Sequence, residues 1–268
     1  MKMACTTLAF PGRPLEGILE LLAANGYEGI DFRGLGDEME VWRLDEFTSG
    51  ADRTAEKIAA AGLKVSAFSS GAVMFDSNPD RRKKHLAEVG EYGRLCRRFG
   101  APIIRVFGGE LGDTPLDQAM DQAADTLKRM AEKAGKDVTV AVETHDDWTA
   151  TAPLADVVAK AGVPNVGVLW DLHHPFRVGG ETPAESYANL GAVTVAVHVK
   201  SSRTTPDGKH EYCMPEEGDV PLAEMISLLK GGGYDGYLTL EWEKKWHPEL
   251  PDAEVALPAY AEFLKKLL

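Results

Sequence analysis

Short apolar runs alternate with longer amphipathic stretches along the whole chain. The runs fall at residues 3–8, 28–33, 64–69, 102–107, 138–143, 166–171, 193–199 and 237–242, and each is read as a β-strand. Val138-Thr139-Val140-Ala141-Val142 and Val193-Thr194-Val195-Ala196-Val197 are nearly continuous apolar and β-branched segments, which suits parallel strands buried on both faces. Between the runs the period changes. Leu15, Ile18, Leu19 and Leu22 recur at helical spacing over residues 15–25, and Gly26 stops that helix. Residues 81–99 and 116–134 read the same way, with Gly100 and Gly135 where C-caps belong. Thr151 with Pro153, and Thr182 with Pro183, mark helix starts, and a last helix covers about 253–267.

Eight successive strand–helix units predict an α/β fold, a single (β/α)8 TIM barrel forming one domain over residues 1–268. A doubly wound open sheet would carry a glycine-rich phosphate loop after its first strand, and Phe10-Pro11-Gly12-Arg13-Pro14 is not one. The longest non-helical stretch, 201–219, is expected to be an active-site loop after the seventh strand.

Composition narrows the function more than the fold. A formal net charge of -13 opposes binding to nucleic acid and to anionic membranes. Three widely spaced cysteines build neither a disulfide framework nor a thiolate metal site, which fits a reduced, cytoplasmic protein. The N-terminal residues lack the apolar core of a signal peptide, and no run is long enough to span a bilayer.

In such a barrel the chemistry sits at the C-terminal ends of the strands. Strand five ends in Glu143-Thr144-His145-Asp146-Asp147-Trp148, strand six in Trp170-Asp171-Leu172-His173-His174, strand seven in His198-Val199-Lys200 and strand eight in Glu241-Trp242-Glu243. Any one of these could be a helix cap or a surface charge. Four in register on consecutive strands make an oxygen-rich metal set of one imidazole and three carboxylates, Glu143, Asp171, His198 and Glu241. A cation there removes the repulsion among converging carboxylates. One divalent ion is expected, Mn2+ first, with Mg2+, Co2+ or Zn2+ as alternatives.

These strand ends resemble the motifs of the sugar phosphate isomerase/epimerase superfamily, the xylose isomerase-like TIM barrels. Val142-Glu143, Asp171-Leu172-His173-His174, His198-Val199-Lys200 and Leu240-Glu241-Trp242-Glu243 carry the resemblance, in order along the whole chain. It implies that Glu143, Asp171, His198 and Glu241 ligate the metal and that Glu143 and Glu241 exchange a proton across the substrate. It also implies that His174 contacts a substrate hydroxyl. Two departures bear on the substrate contacts: Ser201 stands where the family often has Asp after His-x-Lys, and Arg203 is offset from the arginine of the epimerases. Dimers or tetramers are expected for such barrels.

The expected function is a metal-dependent isomerase or epimerase of a small ketose, aldose or sugar phosphate, working through an enediolate. The alternative is a lyase that expels a β-hydroxyl, of the inosose or 3-dehydroshikimate dehydratase type. His145, two residues beyond Glu143, and Arg105, inside the fourth strand, point to that branch. Arg105 either binds a substrate anion or pairs with a strand-end acid. Lys200 is a candidate electrophile or base, or a partner of Glu143 or Glu241. Arg33 and Trp148 are candidate substrate contacts, and Trp148 equally suits plain packing. A DNA-repair endonuclease on the same barrel is set aside: Ser69-Ser70 and Phe107-Gly108 stand where it needs further histidines, and the chain is acidic. A silent binding module is disfavoured by the intact ligand set.

Overall fold

The computed structural model describes residues 1–268. Its strands are β1 (Lys2–Thr6), β2 (Gly29–Phe32), β3 (Lys64–Val73), β4 (Ile103–Phe107), β5 (Thr139–Glu143), β6 (Val166–Asp171), β7 (Thr194–Val199), β8 (Ser201–Thr204), β9 (His210–Cys213) and β10 (Tyr237–Leu240). The helices are α1 (Leu15–Ala24), α2 (Ala51–Ala60), α3 (Pro79–Phe99), α4 (Leu116–Ala134), α5 (Thr151–Ala161), α6 (His174–Arg177), α7 (Pro183–Leu190), α8 (Leu222–Gly231) and α9 (Ala253–Lys265). Eight strands close a parallel barrel in the order β1-β10-β7-β6-β5-β4-β3-β2. This is the (β/α)8 architecture that the alternating apolar runs predict. No helix is long and apolar enough to cross a membrane.

Helix ends follow their local chemistry. Asn78 caps α3 by accepting from the backbone N–H of Asp80 and Arg81, Pro79 takes the first helical position, and Gly100 closes it at φ 68°. Thr182 and Glu185 form a reciprocal capping box at the start of α7.

The chain divides into two compact units, Met1–Ser66 with Val197–Leu268, and Ala67–Ala196. In the first unit β1 runs parallel to both β2 and β10, with Thr6 opposite Asp31 and Cys5 opposite Leu240. Its core includes Ile30, Phe32, Leu238, Leu240, Leu257 and Tyr260, all with exposure of 0%. In the second, β4, β5 and β6 run parallel, with Arg105 opposite Ala141 and Glu143 opposite Leu169. There α3 meets the end of α4 at Gly93, where a Cβ would stand 2.7 Å from the Ala134 carbonyl oxygen, so only glycine permits the approach.

The stretch 201–219, expected as a non-helical loop after the seventh strand, has structure of its own. It folds back as the antiparallel pair β8–β9, with Ser201 opposite Cys213 and Thr204 opposite His210, followed by a 3-10 turn at Pro215–Glu217. The connection carries Asp207-Gly208, with Gly208 at φ 80°, and the Gly208 N–H donates to the Thr205 carbonyl at 2.9 Å. An Asp-Gly pair between β-capable segments is a hairpin signal.

Candidate metal centre

In the first unit the strand ends build a charged, buried line. β7 delivers His198, and Lys200 is the first residue after that strand. The Glu241 N–H donates to the Val199 carbonyl at 3.0 Å, which continues the β7–β10 ladder one residue beyond β10. His198 is 1% exposed. Its Nδ1 lies 3.3 Å from Glu241 Oε1, and its Nε2 lies 3.2 Å from Asp31 Oδ2. Lys200 Nζ donates to Glu241 Oε2 at 2.6 Å and to Glu243 Oε1 at 2.7 Å. The Tyr212 hydroxyl, on β9, donates to the same Glu243 oxygen at 3.1 Å. Below them, burial pushes the Cys5 thiol well above its usual range, and the charges of Asp31 and Glu241 add to the effect, so Cys5 is an inert thiol.

In the second unit Glu143 is fully buried, with Oε2 3.2 Å from Arg105 Nε. The Arg105 Nη1 donates to the Ser70 carbonyl at 2.9 Å, and the guanidinium stacks over Phe107 at 3.8 Å. Asp171 is held by main chain: its Oδ1 accepts from the N–H of His173 at 2.8 Å and of His174 at 3.3 Å, and its own N–H donates to Thr144 Oγ1 at 3.0 Å. His174 Nδ1 stands 2.8 Å from the Thr144 carbonyl oxygen. A carbonyl only accepts, so Nδ1 carries the proton and Nε2 is the acceptor in the neutral ring.

His145 follows at the strand end, its ring 4.8 Å from those of Phe107 and His174. Its Nδ1 accepts from the Asp146 N–H at 2.9 Å and lies 2.6 Å from Asp146 Oδ1. Asp146 sits at φ 53°, a left-handed conformation, and accepts from the Gly109 N–H at 3.1 Å. Burial raises its carboxyl, but His145 and the Gly109 N–H outweigh that and leave it below the ordinary value. Asp146 also lines a cleft of about 660 Å³ that reaches Phe75, Asp76, Arg81 and His85.

All four predicted ligands are buried at strand ends, two in each unit: Glu143 and Asp171 close the adjacent strands β5 and β6, and His198 on β7 stands 3.3 Å from Glu241 just beyond β10. Three carboxylate oxygens and an imidazole nitrogen fit a hard or borderline divalent ion. Asp171, His173 and His174 form a second, overlapping group. Of the other sequence candidates, Lys200 is clamped between two carboxylates and Arg105 is paired with Glu143, one of the two roles expected of it. Arg33 is half-buried beyond β2, its N–H donating to Thr7 Oγ1. Trp148, at 1% exposure, is packed against Phe75 and directly over Gly108. Arg203 lies on the hairpin with its side chain 54% exposed, paired with Glu211 and Glu217.

Asp31 and Tyr212 are absent from the sequence reading. Asp31 did leave a signal, a carboxylate inside the apolar run Gly29-Ile30-Asp31-Phe32, where burial requires a partner. Tyr212 became visible only with the hairpin that carries it.

A sequence model of the family described as xylose isomerase-like TIM barrel matches residues 19–267. A 3-dehydroshikimate dehydratase of Pseudomonas putida is 22% identical over 252 residues, 90% of this chain, and the chain spans only 38% of that relative's length. An inosose isomerase of Halalkalibacterium halodurans is 20% identical, covering 83% of this chain and 80% of its own. Among solved structures, the IOLI protein with a bound zinc atom superposes with a TM-score of 0.85 at 18% identity, over 100% of this chain and 99% of that one. At that identity the likeness bears on the fold alone.

Proposed function

Since the chain belongs to the xylose isomerase-like TIM barrel family, we propose that it is a divalent-metal-dependent enzyme that moves a proton beside a carbonyl of a small polyhydroxylated substrate. The observation that carries this reading is the set of buried strand-end side chains, Glu143 and Asp171 in one unit and His198 with Glu241 at 3.3 Å in the other. Three carboxylates gathered out of water are costly unless a cation joins them. When bound, a divalent ion supplies Lewis acidity that polarises a carbonyl and a neighbouring hydroxyl oxygen and acidifies the C–H between them. Mn2+ suits the oxygen-rich set, and the zinc of the IOLI structure marks Zn2+ as a further choice.

The residues of the chain then divide the work. Asp171, locked by two backbone N–H groups, anchors the cluster without moving. Lys200 and Arg105 hold Glu241 and Glu143 in place. His174, with Nε2 as acceptor, receives a substrate hydroxyl and orients the substrate. In isomerisation or epimerisation, one of Glu143 and Glu241 removes the proton and the other returns it, to the neighbouring carbon or to the opposite face.

A second reading, dehydration, is favoured by the side chains beside Glu143. Both glutamates already lie against a buried cation, whereas the basic ring of His145 is half-exposed and stacked edge-on against His174. A substrate carboxylate would draw on the Arg105 cation beside Glu143. In that reaction His145 takes the C–H proton, the C–H electron pair forms a C=C bond, the β C–O bond breaks, and His145 returns the proton to the departing hydroxide, which leaves as water. The P. putida relative is named for a reaction of this class.

Proton NMR in D2O with Mn2+-loaded protein tests both readings. Deuterium entering beside the carbonyl of a ketose or keto-polyol without loss of hydroxyl supports isomerisation or epimerisation. A new vinylic signal from a cyclic keto-polyol or hydroxy acid supports the lyase. Absence of exchange and elimination on all of these compounds would contradict the enolising chemistry itself.

A further inference from the structure

We infer that Asp31 is a positioning residue for the metal centre: it fixes the tautomer and ring orientation of His198, so that Nδ1 is the nitrogen that ligates the ion. The inference rests on the proposed metal-dependent reading. The geometry is confined to β2, β7 and the end of β10. His198 has two carboxylates on opposite sides of its ring, Glu241 at 3.3 Å from Nδ1 and Asp31 at 3.2 Å from Nε2. Of the two, Glu241 is the strand-end member of the proposed ligand set, so the nitrogen beside it is the one that faces the ion. The other nitrogen then carries the proton, and Asp31 Oδ2 accepts it.

A buried carboxylate on a β-strand needs such a partner. Asp31 is 1% exposed, between Ile30 and Phe32, each at 0%. Its backbone is pinned by the parallel ladder to β1, where it stands opposite Thr6. Just beyond, Thr7 Oγ1 takes the Arg33 N–H at 2.9 Å and Thr7 donates to the Gly34 carbonyl at 2.5 Å, so the strand end cannot swing. A carboxylate behind a ligating histidine orients the ring, selects the tautomer and raises the basicity of the ligating nitrogen, and its loss typically weakens metal binding ~10–100-fold.

The test begins with wild-type protein stripped of metal and reloaded with Zn2+. Long-range 1H–15N NMR correlations of the histidine rings, with His198 assigned by its absence in His198→Gln, report which nitrogen holds the ion. Nδ1 bound and Nε2 protonated is the expected result, and Nε2 bound overturns the inference with no variant needed. Calorimetric titration with Mn2+ then compares wild type, Asp31→Asn, His198→Gln and the double variant, with thermal melting of the metal-free forms to confirm folding. Asp31→Asn is expected to bind about 10–100-fold more weakly, and to cost nothing further in the His198→Gln background, because it acts through that ring. Unchanged affinity in Asp31→Asn, or an equal loss in both backgrounds, overturns the positioning role alone. Wild-type protein that takes up no metal overturns the metal-dependent reading, and this inference with it.

Discussion

Glu241 and Asp171 are both buried carboxylates at strand ends, one in each unit, yet they are held by opposite means. Glu241, in the unit of Met1–Ser66 and Val197–Leu268, is fixed by side chains: Lys200 at 2.6 Å and His198 at 3.3 Å. Asp171, in the unit of Ala67–Ala196, is fixed by the main chain of the α6 start at 2.8 and 3.3 Å and by Thr144. Glu143, in the same unit, resembles Glu241 in relying on a buried cation, Arg105. Main-chain donors are set by the fold and survive any side-chain change. A cation on a flexible stem is a removable support, and its removal leaves an uncompensated buried charge.

The largest effect expected from this contrast comes from removing a ligand rather than a support. Asp171→Asn keeps the volume and the turn, so folding should persist in melting experiments, while Mn2+ uptake and turnover should fall by more than the ~10–100-fold that follows loss of a ligand's supporting partner. Next is Lys200→Met. In metal-free protein it strands Glu241 and Glu243 together, and urea unfolding should show a loss of about 3–5 kcal/mol, the usual consequence of breaking a buried pair. Saturating Mn2+ should recover part of that loss, because the ion supplies the missing positive charge. Equal loss with and without Mn2+ would break the idea that Lys200 and the ion share Glu241.

Arg105→Met separates support from substrate binding. If Arg105 only steadies Glu143, all substrates should lose turnover alike. If it also grips a substrate carboxylate, KM for carboxylate substrates should rise by about 10-fold or more relative to neutral polyols, on the scale of a lost charge-assisted bond.

The helices and strands were legible because burial on both faces forces long apolar runs, and all eight barrel strands start within one residue of the apolar runs that predict them. The last barrel strand ends at Leu240 instead of 242; beyond it Glu241 still donates its N–H to the Val199 carbonyl at 3.0 Å, and the Trp242 indole N–H donates to the Pro251 carbonyl at 2.9 Å. The hairpin was missed because its strands are short and polar, and only Asp207-Gly208 announced it. At the site, residues that end apolar runs stood out by position. Asp31 did not, because its partner His198 is 167 residues away and nothing local marks the pair. Trp148 looked like a rim aromatic by position, yet lies over Gly108, a contact that only the close packing of β4 and β5 creates.

A smaller effect concerns pH. The Asp76 carboxyl is lowered to about 2, chiefly by Arg81 at 2.6 Å, with the Asn78 N–H and His85 assisting against burial. A lowered folded-state value means that this contribution is whole above the unfolded carboxylate range near 3.9 and is lost as pH falls towards 2. Arg81 is 61% exposed, so screening holds the contribution to about 1 kcal/mol. Asp76→Asn should therefore flatten the acid limb of a melting-temperature profile between about pH 4 and 2, and an unchanged limb would contradict the assignment. The smallest effect belongs to Arg203→Ala. With its side chain solvent-exposed and its acid partners at 3.5 and 3.9 Å, stability should change by less than about 0.5 kcal/mol.

The most direct measurement of the central claim is metal stoichiometry by electron paramagnetic resonance of free Mn2+, in wild type and in Glu143→Gln. Saturable binding of one Mn2+ per chain in wild type, weakened at least about 10-fold in the variant, is the predicted result. No saturable site in the wild type, or affinity unchanged by Glu143→Gln, would contradict a metal centre built from the strand-end carboxylates.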